Sequence, residues 1–261
     1  MTRITLHALT ELPGRVLGTW SQFADPDMID VVAAAGYRFT IIDCEHGAFG
    51  IETAAQLIRA CEAANICPLL RVPRGDHALA MKAMDYGCAG IVAPGVESGT
   101  EAQSWVEAMR FAPRGSRGAC PIVRAAWHSQ MPWKQFEGEQ DHPVVIPLIE
   151  TAAGAAAACD ICAVAGLAGI MVGPFDLSVS LGSSGDIDAS NLLEACVQVV
   201  DAAQAALLAT WMPVFAPQRE LLQSRIAFWT KRGVRHFPVG ADKIMAATGL
   251  SMFQEWASSA S

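Results

Sequence analysis

Val144 to Glu150 reads VVIPLIE, and Ile170 to Asp176 reads IMVGPFD. Each is an apolar run that closes on a carboxylate, Glu150 or Asp176. Runs of this length and composition fit buried strands, and the carboxylate stands where the strand surfaces. Two more runs share the design. Phe39 to Ile42 leads into DCEHG (Asp43, Cys44, Glu45, His46, Gly47), and Pro68 to Pro73 carries Arg71 within LLRVP. Carboxylates, a histidine and an arginine at the ends of parallel strands make a catalytic constellation if the strands close one barrel.

Outward from these runs, strand-like and helix-like segments alternate, as a parallel α/β architecture requires. Strands are predicted over 16–23, 39–45, 67–72, 90–96, 144–150, 169–172, 212–216 and 236–239. Helices are predicted over 26–35, 51–64, 77–86, 100–111, 151–164, 189–208, 219–232 and 243–257. Asp25 is the expected N-cap of the first helix, and Gly36 and Gly87 are expected to close the first and third. Between 112 and 142 the pattern fails. That stretch holds PRGSRG (Pro113 to Gly118), Trp127, His128 and Trp133, and a connection so long is either functional or misread structure. Eight strands and about eight helices predict a (β/α)₈ TIM barrel of the α/β class, one domain over residues 1–261. A doubly wound open sheet is the rival, but no GxGxxG turn follows the first strand.

The bulk numbers agree. The chain has 261 residues, 52% of them apolar and 17% charged, and barrels of this kind run to about 250 residues. A net charge of −8 with no basic run disfavours nucleic acid as a partner. Met1 to Gly18 lacks the uninterrupted apolar region of a secretory signal, and no window suffices for a membrane span. A cytoplasmic enzyme is expected. The eight scattered cysteines read as reduced core thiols, Cys159 and Cys162 included despite their redox-motif spacing.

Glu150 and Asp176, on neighbouring strands, could hold one hard divalent cation, and all-oxygen ligation suits Mg²⁺, Mn²⁺ or Co²⁺ better than Zn²⁺. The bland reading makes both helix N-caps. In the turn GPFDLS the backbone amides of Phe175 and Asp176 open a helical turn, where such donors bind carboxylates. A 2-oxoacid could present its keto and carboxylate oxygens there, with Arg71 neutralising charge on the keto oxygen. His46 is the natural proton shuttle, because imidazole titrates near working pH. His7, His77, His142 and His236 lack such a context, and His128 is placed near the mouth.

GTWSQF, DCEHG, LLRVPRGD, PRGSRG, LIET, GPFDLS and the terminal VGAD, in this order, cover nearly the whole chain. On these motifs the sequence resembles the metal-dependent (class II) pyruvate aldolases of the HpcH/HpaI aldolase/citrate lyase family. The resemblance implies cleavage of 4-hydroxy-2-oxoacids, including 2-keto-3-deoxy sugar acids, to pyruvate and an aldehyde. It implies Glu150 and Asp176 as metal ligands, and Gly173, Phe175 and Asp176 about the pyruvate carboxylate. It further implies Arg71 on the keto oxygen and His46 as base with Asp43 nearby. The histidine's partner would be Asp85, contributed by an adjacent subunit. A homo-oligomer follows, a hexamer built from trimers, with the C-terminal helix exchanged between subunits. Leu148 departs from the family, where a polar residue is usual, which puts the aldehyde preference in question.

Schiff-base chemistry is disfavoured, since the only lysines are Lys82, Lys134, Lys231 and Lys243, none within a predicted strand. An acyl-CoA lyase of the citrate lyase β type would need a basic groove, for which only Arg110, Arg114 and Arg117 offer themselves. A non-catalytic ketoacid-binding barrel is the remaining alternative.

Overall fold

A computed structural model describes residues 4–216 and 218–259. Eight parallel strands close a barrel in sequence order: β1 (Val16–Ser21), β2 (Phe39–Asp43), β3 (Cys67–Arg71), β4 (Gly90–Ala93), β5 (Val145–Ile149), β6 (Ile170–Val172), β7 (Thr210–Trp211) and β8 (His236–Ala241), with β8 pairing back onto β1. The helices are α1 (Leu6–Thr10), α2 (Pro26–Ala34), α3 (Ile51–Ala63), α4 (His77–Tyr86), α5 (Gly99–Met109), α6 (Trp133–Glu139), α7 (Ala152–Ala156), α8 (Ala158–Cys162), α9 (Pro174–Ser180), α10 (Ser190–Ala205), α11 (Arg219–Lys231) and α12 (Asp242–Ser258). The expected (β/α)₈ barrel is the observed fold.

The continuous apolar runs have a simple cause: β2 to β7 are buried on both faces. Ile41, Leu69, Ile146, Leu148 and Met171 fill the barrel interior with Phe39 and Trp211. Their neighbours Ile42, Leu70, Val145, Ile149 and Val172 pack outward against the helices. This alternation decides the site. Strand side chains repeat with period 2, so the inward parity of Phe39 and Ile41 continues to Asp43. That of Cys67 and Leu69 continues to Arg71, and that of Ile146 and Leu148 to Glu150.

Local signals set most helix ends as expected. The Asp25 side chain accepts from the amide of Asp27 at the start of α2, and Gly87 ends α4 in the left-handed region at φ 97°. Several expectations shift. The helix predicted over 151–164 is two short helices, α7 and α8, meeting at Ala157; alanine-rich sequence carries no signal for such a break. The seventh strand lies at Thr210–Trp211 rather than 212–216, where only Val214 makes a bridge, to Val239. The short helix α1 escaped prediction and places Leu6 and Leu9 in the inner core. The irregular stretch 112–142 is an organised excursion. It contains a 3₁₀ turn at Arg124–Ala126 and α6, and Phe111, Trp133 and Phe136 meet with ring centroids 5.1–5.9 Å apart. Six of the eight cysteines are buried, and none is paired. Among the described residues no helix is long and apolar enough to cross a membrane.

Candidate active site

The strand ends converge on a cavity of about 240 Å³ lined by Trp20, Gln22, His46, Arg71, Leu148 and Glu150, and by Gly173 to Asp176, Pro213, Phe215, Ala241 and Ile244. Its centre is an ion pair built into the sheet. Asp43 and Arg71 are register partners on β2 and β3. Their side chains form a two-pronged pair, Nε to Oδ1 at 2.9 Å and Nη2 to Oδ2 at 2.7 Å. Gln22 Nε2 donates to the same carboxylate at 2.8 Å, and the amides of Glu45 and His46 donate to it at 3.1 and 3.2 Å. Burial alone would raise the Asp43 pKa, but Arg71, Gln22 and the His46 amide outweigh it and hold the carboxyl below its ordinary range. Arg71 answers in kind: burial disfavours its charge, and Asp43 more than restores it. The Trp20 ring lies beneath the guanidinium, 4.5 Å from centroid to Cζ.

His46 reaches the cavity from the turn after β2. Gly47 makes that turn possible, because a Cβ there would lie 2.1 Å from the Asp43 carbonyl oxygen. Glu45, in the same turn, approaches Arg71 Nη1 at 3.3 Å. Burial raises its pKa, as do Asp43 and Asp176, against the opposing pull of Arg71 and His46.

Glu150 follows β5 and Asp176 sits in the first turn of α9. Gly173 lets them share the cavity, since a Cβ on it would stand 2.6 Å from that of Glu150. Neither carboxylate has an ion-pair partner among the described residues. The Glu150 pKa is pushed up to about 7, first by burial, then by Asp176 and Glu45, with Arg71 opposing. Four carboxylates thus face one arginine, and a divalent cation fits that charge deficit and that hard-oxygen donor set. No group of three or more His, Cys, Asp or Glu among the described residues is arranged to hold a metal. α9 begins with Pro174, which has no N–H, so the amides of Phe175 and Asp176 are its first donors, and no side chain caps them.

Within one chain the structure brings together Asp43, Arg71, His46, Glu150, Gly173, Phe175 and Asp176. Asp85 is elsewhere, on α4, bound by Arg117 Nη2 at 2.8 Å. His128 also lies outside the cavity, its Nδ1 3.1 Å from the carbonyl oxygen of Ile122. Asp242 opens α12, and its carboxylate accepts from the amides of Gln22 and Phe23, both at 2.9 Å. Sequence reading gave no role to Gln22, Trp20, Phe215 or Ile244. Gln22 and Trp20 share a parity on the path of β1, a signal that was available; Phe215 and Ile244 come from a loop and a helix and carried none. No lysine lines the cavity. The three arginines that might have served CoA are separated: Arg114 pairs with Asp141, Arg117 is buried against Phe111 and Asp85, and Arg110 lies beside Gly166. A cleft of about 450 Å³ on the opposite face, lined by His7, Glu11, Leu207 and Arg235, has none of the groups that line the mouth.

A closed parallel barrel whose strand ends carry this acid-rich, arginine-centred cavity has the site architecture of the barrel enzymes. Known proteins make the class particular. The hydroxypyruvate/pyruvate aldolase of Roseovarius nubinhibens is 33% identical over 180 residues, 69% of this chain and 70% of that one. The 4-hydroxy-2-oxovalerate aldolase of Novosphingobium aromaticivorans is 29% identical over 244 residues, covering 93% and 89%. Among solved structures, the citrate synthase SbnG is 31% identical and covers 94% of each chain, with a TM-score of 0.82. Residues 16–228 match the HpcH/HpaI aldolase/citrate lyase family, and the chain belongs to it. The protein is an aldolase, a carbon–carbon lyase.

Proposed function

We propose that the protein is a divalent-metal-dependent aldolase acting on 4-hydroxy-2-oxoacids, with pyruvate as the enolate-forming component and an aldehyde as its partner. The observation that carries this reading is the pair Glu150 and Asp176, two carboxylates without counter-ions in one cavity with Arg71 and His46. Glu150 and Asp176 would hold Mg²⁺, Mn²⁺ or Co²⁺, which when bound supplies Lewis-acid polarisation of the keto group. The amides of Phe175 and Asp176, beside the open space at Gly173, would receive the pyruvate carboxylate. Arg71, oriented by Asp43 and Gln22, would meet the negative charge that develops on the keto oxygen. His46 would take the proton from the 4-hydroxyl in cleavage, and return it in synthesis.

The same reading extends to assembly. The chain, one domain over 1–261, would form a cytoplasmic homo-oligomer, a hexamer, in which α12 packs on a neighbour. Asp85 would then approach the His46 of an adjacent subunit. Exchange of pyruvate methyl protons in deuterated water tests the core of the proposal. Exchange is expected with Mg²⁺, Mn²⁺ or Co²⁺ and is expected to stop on chelation. Exchange that persists in chelator, or fails with every metal, refutes it.

A further inference from the structure

The reaction cavity does not end at its reactive groups. Pro174, Phe175, Pro213, Phe215 and Ile244 also form one wall of a groove of about 670 Å³ between α10 and α11. That volume falls within the roughly 300–1,000 Å³ usual for small-molecule sites. Beyond the shared wall its lining is apolar, with Ile187, Leu192, Leu193, Val214, Leu221 and Phe228. Its polar side chains are already engaged. Asp188 and Arg225 pair with each other at 2.6 Å, and Arg225 Nη1 donates to the Phe215 carbonyl at 2.8 Å. The Ser224 hydroxyl donates to the Leu221 carbonyl at 2.9 Å. A hydroxylated chain entering here would give up water and find an open acceptor only at the exposed edge, on Asp188, which is costly for hydroxyls deeper in the groove. An alkyl or aryl chain would cover Phe175, Leu193, Ile187 and Phe215, whose side chains are 37–59% exposed, and gain by doing so. On the reaction-cavity side the floor at Leu148 is apolar as well.

We infer that this groove receives the tail of the aldehyde partner, and that the aldehyde is an extended alkyl or aryl one rather than a polyhydroxylated one. The inference rests on the aldolase reading of the cavity. It specifies a substrate: a 4-hydroxy-2-oxoacid whose substituent at C4 is apolar. Phe175 and Phe215 stand at the passage between the two spaces, and the Arg225 bond holds the Phe215 backbone in place.

The test is aldol addition of pyruvate by the full chain loaded with divalent cation, using hexanal and 3-phenylpropanal against erythrose and arabinose. Pyruvate proton exchange is followed in parallel. The apolar aldehydes are expected to show kcat/KM at least about tenfold higher, the discrimination that a few buried methylenes supply. Ile187→Asn and Leu193→Asn change partly exposed side chains outside the reaction cavity. Each is expected to lower kcat/KM for the apolar aldehydes by roughly tenfold and to leave proton exchange unchanged. 3-Phenylpropan-1-ol, which cannot react, is expected to perturb tryptophan fluorescence through Trp229 and to bind the Leu193→Asn protein more weakly. Normal exchange with equal or better use of the sugars overturns the inference while leaving the aldolase reading intact. So does a groove covered by a second copy of the chain, recognised when the two variants change the mass by light scattering but not the aldehyde preference. Absence of exchange with every metal overturns both.

Discussion

Asp43 has no carboxylate oxygen to spare: Arg71 and Gln22 share Oδ2, and Arg71 with two backbone amides shares Oδ1. On the proposed reading Asp43 therefore positions Arg71, and the groups that would touch substrate are Arg71, His46 and the Glu150–Asp176 pair. General acid–base assistance contributes on the order of 10²–10⁴ in rate. His46→Ala is accordingly expected to lower kcat by that factor while cation affinity, titrated against a chelator, stays the same. An unchanged kcat would move the proton to another group. Glu150 yields a prediction of opposite sign for stability and activity. Its folded pKa of about 7 lies above the ordinary 4.5, so without cation the folded state keeps a proton that the unfolded chain has released. Stability then falls as pH rises from about 4.5 to about 7. In chelator at pH 8, Glu150→Gln is expected to raise the melting temperature, by a stabilisation on the order of 3 kcal/mol. The same substitution should abolish cation-dependent proton exchange. Equal melting of the two proteins at pH 8 would show that Glu150 carries no such penalty.

At the scale of elements, one side chain ties together the upper end of the seam where β8 pairs with β1. Asp242 is the only buried residue among the seventeen of α12, and it satisfies two amides that have just left β1. Leaving a buried donor without its partner costs about 1–3 kcal/mol. Asp242→Ala is expected to lower the denaturation midpoint in urea by a corresponding amount and to loosen Gln22, which itself supports Asp43. A variant with wild-type stability would show that water serves these amides equally well. The excursion over 112–142 has an element-level role too. It carries Arg117 into the protein, where the side chain stacks on Phe111 and holds Asp85 and Gln140. Its single short helix and scattered aromatics present no period, which is why sequence reading found only a gap.

Across the whole molecule, the unbalanced feature is α12. Ile244, Met245, Leu250, Met252, Phe253 and Trp256 are all exposed on one chain, and large apolar side chains gathered on one element mark an interaction surface. Deletion of the chain from Lys243 onward is expected to reduce the assembly seen by ultracentrifugation and to lower activity with it. A truncated protein that stays oligomeric would remove α12 from the interface. A fully active monomer at assay concentration would dispose of a site shared between subunits, and with it of Asp85 as the partner of His46.

The sequence by itself determined the barrel and the inward half of its mouth. A strand buried on both faces must be apolar throughout, so VVIPLIE, FTIID and CPLLR were visible as strands, and period 2 carried the inward parity on to Glu150, Asp43 and Arg71. The helix ends at Asp25 and Gly87 were equally local, fixed by a cap and by a backbone conformation that glycine adopts without cost. What only the tertiary structure decided is everything that depends on which strands become neighbours and how the loops cross them. The Asp43–Arg71 bond needs the register of β2 on β3. The elevated Glu150 pKa needs burial beside Asp176 and Glu45. The apolar wall of Phe175, Phe215 and Ile244 is assembled from three segments far apart in sequence. Such contacts follow from the closure of the barrel, a property of all eight strands at once, and no window of sequence contains it.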